Sequence, residues 1–362
     1  MEHSNLLTPK YNYNEYYFWF FGLINNITFV LLMSASETLM PDHIGTIGFC
    51  AILPGLLLKL SIPYWIKYEI CNYKNRVLFL TSIYIAGYLM ISLINNIYFK
   101  LIGIMLSSIA GAICETTFIP IASMISNKAI SYWSSGSGFA GPIGAGYYIL
   151  MTQVFNISTN TTILLLIWIP LIILGLFYKL KFKQNIEYLD YRTVSNNELQ
   201  YWIYNYIMPL LLVYFAEYTI NLSILPRITQ FNGTKIDIKK YYPIYNIIYQ
   251  FGVLISRSIK LIFPNMNINY IGIFPILQFI NMIIFIFIAI YNFIPYISIV
   301  YVIIFYEGLI GGMAYLFTFN KIKNILSDDK KELCSSITTI GDVSGQTLAA
   351  LCAILVDTLI KI

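Results

Sequence analysis

The sequence predicts an all-α polytopic membrane protein, a bundle of about eleven transmembrane helices. Of its 362 residues, 58% are hydrophobic and only 11% are charged. Soluble domains carry about 25% charged residues, so this chain lacks the polar surface that a soluble protein needs. Its mean hydropathy is +0.70. The apolar residues fall in stretches of about 20, the length that an α-helix needs to cross a bilayer.

Eleven apolar stretches, separated by polar turns, account for most of the chain. The predicted spans are 16–40, 46–66, 77–97, 100–125, 131–155, 161–181, 204–225, 241–263, 268–291, 295–319 and 335–359. A charged break at 182–203 divides six spans from five. We therefore predict a tail over 1–15, an N-terminal six-helix bundle over 16–181, a linker over 182–203 and a C-terminal five-helix bundle over 204–362.

Lys and Arg residues concentrate on one side of this topology. Placing the N-terminus in the cytosol puts the basic segments 67–76, 179–183 and 321–331 on the cytosolic side, as the positive-inside rule requires. The basic loop 226–240 is an exception. This orientation makes the tail and the linker cytosolic, and it puts the glycosylation sequons at Asn156 and Asn232 on the lumenal side.

Four carboxylates lie inside the predicted spans: Glu115, Glu217, Glu307 and Asp342. A charged side chain at the centre of a membrane helix costs about 2.5–3.5 kcal/mol on insertion scales, and it normally faces the bundle interior or a watery cavity. Four such residues in four spans predict a central pathway for a substrate or protons. For the three glutamates the alternative is a structural hydrogen bond to a neighbouring helix. For Asp342, nearer the end of its span, it is solvation at the interface.

Two cations, Lys59 and Arg257, are the candidate partners for an anionic substrate. The planar guanidinium of Arg257 suits a phosphate or a carboxylate, whereas Lys59 offers a point charge. Arg257 could instead anchor its span at the cytosolic end. Lys59 could pair with an internal acid or extend its ammonium toward the end of its helix.

Amide and phenol side chains complete the predicted pathway. Asn25 and Asn26 in span one and Asn221 in span seven either line the path or join helices by hydrogen bonds. Tyr218 lies beside Glu217, where an aromatic face could hold a choline-like head group. The alternative for Tyr218 is a position in the aromatic belt at the membrane surface.

Polar residues recur in corresponding spans of the two halves. The pairs are Asn25 with Asn221, Lys59 with Arg257 and Glu115 with Glu307. Parallel repeats of this kind describe the major facilitator architecture, in which the substrate binds near the midplane between the halves. We therefore predict a major-facilitator-like bundle of two pseudo-repeats, with six helices in the first and five in the second.

A glycine-rich run opens the fifth span and matches the GxGxxG pattern at Gly136, Gly138 and Gly141. A dinucleotide site needs that pattern between a strand and a helix of a soluble βαβ unit, so we reject a cofactor here. Together with Gly144, these glycines are predicted to let helices approach closely. The run also resembles the Gly-Pro motif of facilitator antiporters, with its last glycines shifted.

The residue inventory argues against an enzyme. The two histidines, His3 and His43, lie outside the middles of the spans, and the sequence has no HExxH, GxSxG, Walker or CxxC pattern. We therefore predict no cofactor and no metal site. Because most of the basic residues lie in the loops between spans, the net charge of +5 does not indicate nucleic-acid binding.

Five segments resemble the battenin family of lysosomal and vacuolar membrane proteins, in the order of that family. They are Phe18-Trp-Phe-Phe-Gly-Leu-Ile-Asn-Asn26, Trp133-Ser-Ser-Gly-Ser-Gly138, Tyr214-Phe-Ala-Glu-Tyr218, Ser256-Arg-Ser258 and Tyr306-Glu-Gly-Leu-Ile-Gly-Gly312. The resemblance implies a facilitator-like fold in a lysosomal or vacuolar membrane. It also implies roles in organelle pH balance, basic amino acid handling and glycerophosphodiester export. One departure is Ala51, where the family often has Asp.

Two hypotheses for function follow. The first is a secondary transporter for small polar metabolites in the membrane of an acidic organelle, with coupling to protons as a further hypothesis. The second is a membrane scaffold or trafficking factor that affects vacuolar pH and lipid state indirectly. Tyr191 begins a Tyr-Arg-Thr-Val sequence that matches a sorting signal for a cytosolic adaptor, and is the candidate for a protein partner.

Overall fold

The computed structural model describes residues 15–39, 44–65, 72–180, 194–228, 230–231, 234–235, 238–268 and 270–359. These residues are almost entirely helical. The helices are α1 Tyr17–Ser34, α2 Ser36–Leu39, α3 Ile44–Trp65, α4 Tyr73–Leu93, α5 Ile97–Ile125, α6 Asn127–Ile149, α7 Thr159–Leu164, α8 Trp168–Leu180, α9 Asn196–Trp202, α10 Met208–Thr219, α11 Ile238–Ile262, α12 Ile273–Tyr291, α13 Ile297–Ile325 and α14 Asp328–Leu359.

Short irregular elements join or extend some of these helices. They are the π-helical segments Leu150–Val154, Ile203–Ile207 and Ile220–Ile224 and the 3₁₀ segments Leu165–Ile167 and Leu225–Arg227. A two-residue strand, β1 (Gln230–Phe231), pairs antiparallel with β2 (Thr234–Lys235). Because α7 continues into α8, and α9 into α10, the described residues form eleven long helical units. The predicted number of spans is therefore confirmed.

Eight of the helical units are both long enough and apolar enough to cross a bilayer by themselves. Of the other three long units in the described residues, α6 and α11 carry more polar or small residues, and α3 contains a shorter apolar stretch, Thr46–Ser61. These are the helices that hold Lys59, the glycine run and Arg257. Several predicted spans were too short: α13 continues to Ile325, α14 starts at Asp328, α4 starts at Tyr73, and the unit of α9 and α10 starts at Asn196. Hydropathy identifies only the part of a helix that lies in lipid, whereas these helices extend through charged residues beyond it.

Equivalent helices pack in the same way in the two repeats. In the N-terminal repeat α1 packs on α6, and in the C-terminal repeat α10 packs on α14. Glycines bring both pairs together: a Cβ on Gly136 would lie 1.9 Å from the backbone oxygen of Trp19, and one on Gly345 would lie 2.3 Å from that of Leu211. Small residues are the usual means of close helix approach in membranes.

The other glycines of the run contact two different helices. A Cβ on Gly144 would lie 3.2 Å from the Val30 side chain of α1. On Gly138 it would lie 3.1 Å from the Leu254 Cα of α11, and on Gly141 it would lie 2.2 Å from Gln250 Oε1 of the same helix. The run therefore packs α6 against its own repeat on one face and against the C-terminal repeat on another.

Substitution of Gly136 by alanine is expected to lower the unfolding temperature of the purified protein. The new methyl group would overlap a backbone carbonyl that cannot rotate away, and overpacking of this kind costs about 1–3 kcal/mol. Gly146→Ala is the matched control on the same helix, because a Cβ there meets nothing within 4 Å. Thermal unfolding in detergent measures both variants, and equal unfolding temperatures would contradict the packing described.

Hydrogen bonds join the two repeats at one end of the bundle, where α5 ends and α6 begins. They link Ser123 Oγ to Ser335 Oγ at 3.0 Å, Asn127 Nδ2 to Asn324 Oδ1 at 2.9 Å and Lys323 Nζ to the backbone oxygen of Met124 at 3.3 Å. The start of α1 lies at the same end, because the Ser126 hydroxyl donates a hydrogen bond to the Glu15 carboxylate. We call this the closed end of the bundle.

Candidate functional site

A cavity of about 150 Å³ lies between the two repeats. Helices of both repeats line it, among them α1, α3, α5 and α6 on one side and α10, α11, α13 and α14 on the other. On α1 its lining runs from Asn25 to Leu32, in the half of the helix away from the closed end. The cavity therefore occupies the place that the predicted architecture assigns to a substrate.

A buried charge cluster joins three helices at the cavity. Lys59 Nζ of α3 lies 2.6 Å from Glu115 Oε2 of α5 and 3.7 Å from Asp342 Oδ1 of α14. It also donates a hydrogen bond of 3.0 Å to the backbone oxygen of Thr339. The relative exposure of Lys59 is only 1%. The ammonium thus ties the C-terminal repeat to two helices of the N-terminal repeat, and the cluster has one carboxylate more than it has cations.

Tyr315 of α13 connects this cluster to the rest of the cavity. Its hydroxyl donates a hydrogen bond of 2.9 Å to Glu115 Oε1 and accepts one of 3.0 Å from Trp133 Nε1 of α6. The guanidinium carbon of Arg257 lies 4.5 Å from the centre of the Tyr315 ring, a cation–π contact. One tyrosine side chain therefore touches both the acidic cluster and the second cation.

Arg257 of α11 is held in place by neutral partners. Its two terminal nitrogens donate hydrogen bonds to Ser137 Oγ at 2.7 Å and to the Tyr214 hydroxyl at 2.8 Å. Its Nε has no hydrogen-bond partner, and in the described part of the chain Arg257 forms no ion pair. A buried cation that is fixed by neutral groups beside a cavity can receive a carboxylate or a phosphate.

Three more predicted residues lie in the cavity wall. Asn26 Nδ2 donates a hydrogen bond of 3.2 Å to the Ser137 backbone oxygen, which joins α1 to α6. Asn25 also lines the cavity, and its side-chain oxygen is buried without a partner in the described residues. Tyr218 lines the opposite wall and stacks on Tyr214 with 6.2 Å between the ring centres.

Three predicted site residues do not line the cavity. They are Glu217, Glu307 and Asn221. Asn221 Nδ2 donates hydrogen bonds of 2.8 Å to Glu307 Oε1 and 3.0 Å to the backbone oxygen of Glu217. The Tyr249 hydroxyl, which does line the cavity, donates a hydrogen bond to Glu217 Oε1. The four acids therefore fall into two groups: Glu115 and Asp342 line the cavity, and Glu217 and Glu307 form a second buried cluster behind Tyr218 and Tyr249. Their shared role in one pathway stays a prediction.

The positions of Asp342, Arg257 and Lys59 in the structure decide between the alternatives that the sequence left open for them. Asp342 is buried beside Lys59, so it is not a solvated residue of the interface. Arg257 is buried in the cavity wall and is not a surface anchor. Lys59 is paired internally and does not extend toward a helix end. Tyr191 and Asn232 lie outside the described residues.

The sequence did not single out Tyr315, Tyr249 or Ser137. The sequence offered one signal for them, which is helical spacing. Tyr315 lies two turns after Glu307 on the same helix, and Ser137 lies inside the glycine run, so each was expected near a predicted site residue. With 31 tyrosines in the chain, that signal did not separate cavity residues from residues of the membrane surface. Among the described residues, no group of three or more His, Cys, Asp or Glu side chains could hold a metal ion.

Solved structures with the same architecture define the class. The human organic anion transporter MFSD10 aligns with a TM-score of 0.65 at 11% identity, covering 95% of this chain and 93% of that one. FucP, a Major Facilitator Superfamily transporter in the outward conformation, aligns with a TM-score of 0.58 at 14% identity, covering 94% and 95%. The chain is thus a multi-pass membrane protein with the major facilitator fold, in two pseudo-repeats of six and five helices.

Sequence comparisons define the family. The model of the CLN3 protein family matches residues 16–201 and 190–361, and the chain belongs to that family. Protein BTN1 of Kluyveromyces lactis is 31% identical, with 94% of this chain and 92% of that protein covered. Protein BTN1 of Yarrowia lipolytica is 30% identical over 92% and 91%, and battenin of Canis lupus familiaris is 29% identical over 93% and 89%. The resemblance to battenin is therefore confirmed.

Proposed function

We propose that the protein is a secondary transporter that moves small polar metabolites across the membrane of a lysosome or vacuole. The observation that carries this proposal is the cavity between the repeats, with Arg257 on one side of Tyr315 and the Lys59 cluster on the other. Buried charges are costly in a membrane protein and mark substrate or ion pathways. A bundle that only served as a scaffold would have no need to retain them around a cavity.

The charges favour a substrate with both a negative and a positive group. Arg257 has no acid partner in the described residues, so it suits a phosphate or carboxylate. The Lys59 cluster carries one surplus carboxylate from Glu115 and Asp342, so it suits an ammonium group. Glycerophosphodiesters with an amine head group meet both requirements, and we propose them as the first substrate class. Basic amino acids, which also carry both charges, are the second.

Proton coupling and contribution to organelle pH form part of the proposal. One aligned structure is titled as that of a fucose:proton symporter of E. coli, with a TM-score of 0.54, and MFSD10 is named as an organic anion transporter. These descriptions belong to those proteins, and they support the proposal that a bundle of this architecture serves proton-coupled transport of anionic substrates. The resemblance to battenin supports an acidic organelle.

We further propose that the bundles 16–181 and 204–362 rock against each other around the cavity. With the N-terminus in the cytosol, the closed end faces the cytosol and the cavity lies toward the lumen. Export from the lumen would then begin in the conformation described. Sorting through Tyr191 by a cytosolic adaptor remains part of this proposal.

The proposed function is tested by flux into liposomes. The purified protein is reconstituted, and uptake of labelled glycerophosphocholine and of labelled lysine is measured with and without an inward acid gradient. We expect saturable uptake of the phosphodiester that protein-free liposomes lack. Glu115→Gln is expected to reduce it, since the variant removes the partner of Lys59 and Tyr315.

Glu198→Gln is the matched control. This carboxylate pairs with Lys330 outside the cavity, and its side chain is 40% exposed, so uptake should match that of the wild type. Folded wild-type protein with no uptake of either compound would contradict transport of these substrates and favour the scaffold hypothesis. Uptake of lysine alone would replace the first substrate class with the second.

A further inference from the structure

The cluster behind the cavity contains two buried carboxylates and no internal cation. Glu307 is 0% exposed and Glu217 is 1% exposed. In the described residues neither forms an ion pair, and the second carboxylate oxygen of each has no hydrogen-bond partner. Two ionised carboxylates in one buried site repel each other, so a pair of this kind favours the state in which one of the two acids is protonated.

The amides of Gln278 and Asn281 are a second, independent observation. Both residues lie on the buried face of α12, at 0% and 1% exposure, and all four of their side-chain polar atoms lack partners in the described residues. Helix α12 packs on α10, on α13 and on the π-helical segment Ile220–Ile224, which includes Asn221. Buried amide groups without partners are rare in proteins. We therefore infer that this face of α12 takes part in polar interactions as well as in apolar packing.

The register of α12 places Asn281 at the level of the two carboxylates. Phe285 belongs to one apolar cluster with Ile220 of the π-helical segment and Ile304 of α13. The ring of Phe279 contacts that of Phe215 on α10, and the ring of Phe274 contacts that of Phe317 on α13. Compared with the position of Phe285, these contacts indicate that α12 runs parallel to α10 and antiparallel to α13. One turn back from Phe285 to Asn281 therefore moves toward Glu217 on α10 and toward Glu307 on α13.

We propose that Glu217 and Glu307 share one exchangeable proton, at a site separate from the substrate cavity and joined to it by Tyr249. This proposal rests on the proposed transport function and names where its coupling proton binds. When the proton leaves, the pair changes from one carboxylic acid and one carboxylate to two carboxylates. The proton leaves the pair from Glu217, the carboxylate that Tyr249 contacts. The Tyr249 hydroxyl releases its own hydrogen to the cavity and takes the proton from Glu217, so that the phenol is regenerated.

The surroundings favour a proton over a metal ion. Tyr249 donates a hydrogen bond to Glu217 Oε1 and Asn221 donates one to Glu307 Oε1, so one oxygen of each carboxylate is already engaged by a donor. The other oxygen of Glu217 lies 1.9 Å from the position of a Cβ on Gly311, so it rests against the α13 backbone. Among the described residues, no group of three or more His, Cys, Asp or Glu side chains at this cluster could hold a metal ion.

Few charged groups surround Glu217 and Glu307, and this favours a state in which the two carboxylates together hold one proton. From α11, Tyr249 contacts Glu217, and Arg257 attracts it electrostatically while bonding Ser137 and Tyr214. Helix α12 has no charged residue over Ile273–Tyr291. On α13 itself, the next charge, Lys321, is about four turns away from Glu307.

The test compares two modes of transport in liposomes that contain a trapped pH-sensitive dye. One is exchange of labelled for unlabelled glycerophosphocholine without a gradient, and the other is uptake driven by an acid gradient. For Glu307→Gln we expect normal exchange, complete loss of acid stimulation and no substrate-dependent proton flux, because the carboxamide mimics the neutral acid but cannot release a proton. Glu217→Gln provides a second variant with the same expectation, and Glu198→Gln is the control.

The outcomes separate this proposal from the proposed function. Wild-type exchange with no effect of the gradient would overturn the proton site and leave transport standing. Retention of full acid stimulation in both Gln variants would do the same. Absence of every flux in the folded wild-type protein would overturn the transport function, and the proton site with it. Size-exclusion chromatography checks that each variant is folded.

Discussion

Replacement of Lys59 by methionine is expected to destabilise the protein by about 3–5 kcal/mol and to abolish transport. This is the cost of removing one partner of a buried ion pair, because the remaining charges lose their compensation. Here the variant would leave both Glu115 and Asp342 buried without a cation, since Lys59 lies 2.6 Å from the first and 3.7 Å from the second. Chemical or thermal unfolding in detergent measures the loss.

A triple variant separates the stability effect from the functional one. Lys59→Met combined with Glu115→Gln and Asp342→Asn removes all three charges, and neutral replacements of buried ion pairs often restore stability. We expect the triple variant to unfold near the wild-type temperature and still fail to transport. A single Lys59→Met variant with wild-type stability would show that the cluster is not the buried ion pair described.

Arg257→Gln is expected to lower uptake of an anionic substrate about ten- to a hundredfold, because a hydrogen bond to a charged group is worth about 1.5–3 kcal/mol. Arg257→Lys should recover little of this activity. A lysine retains the charge, but it cannot bond Ser137 and Tyr214 with two parallel donors while also presenting a third to the substrate. The dependence of uptake on substrate concentration measures both variants.

Lys260→Gln is the matched control for Arg257. Lys260 lies one turn further along α11 and donates a hydrogen bond of 3.3 Å to Asn320 Oδ1, but it does not line the cavity. We expect uptake by this variant to match that of the wild type. If both substitutions lowered uptake equally, the effect would come from the positive charge of α11 in general and not from an anion site at Arg257.

The helices could be predicted because the bilayer leaves few alternatives. Backbone groups in lipid must be bonded within the segment, so long apolar stretches become helices, and the charge bias of the loops suggests their direction. The glycine run showed where α6 would approach other helices. Repeated polar residues in corresponding spans pointed to two repeats around a central site.

The arrangement of the acids was harder to predict, because depth in the membrane follows from sequence position but the direction of a side chain around its helix depends on neighbours. Glu115 and Glu217 both lie in the middle of a span, yet Glu115 lines the cavity and Glu217 lies behind Tyr249. The Lys59 cluster depends on α3, α5 and α14 meeting at one level. A contact between three helices that are distant in the sequence leaves no pattern in the sequence of any one of them.

The most direct test of transport by rocking bundles is a reversible cross-link across the closed end. Ser123 and Ser335 belong to different repeats, and their hydroxyl oxygens lie 3.0 Å apart, which places a cysteine pair within reach of a disulfide. In the Ser123→Cys/Ser335→Cys variant we expect oxidation to stop uptake of glycerophosphocholine and reduction to restore it, while each single variant is unaffected by oxidant. Full uptake by cross-linked protein would contradict the account.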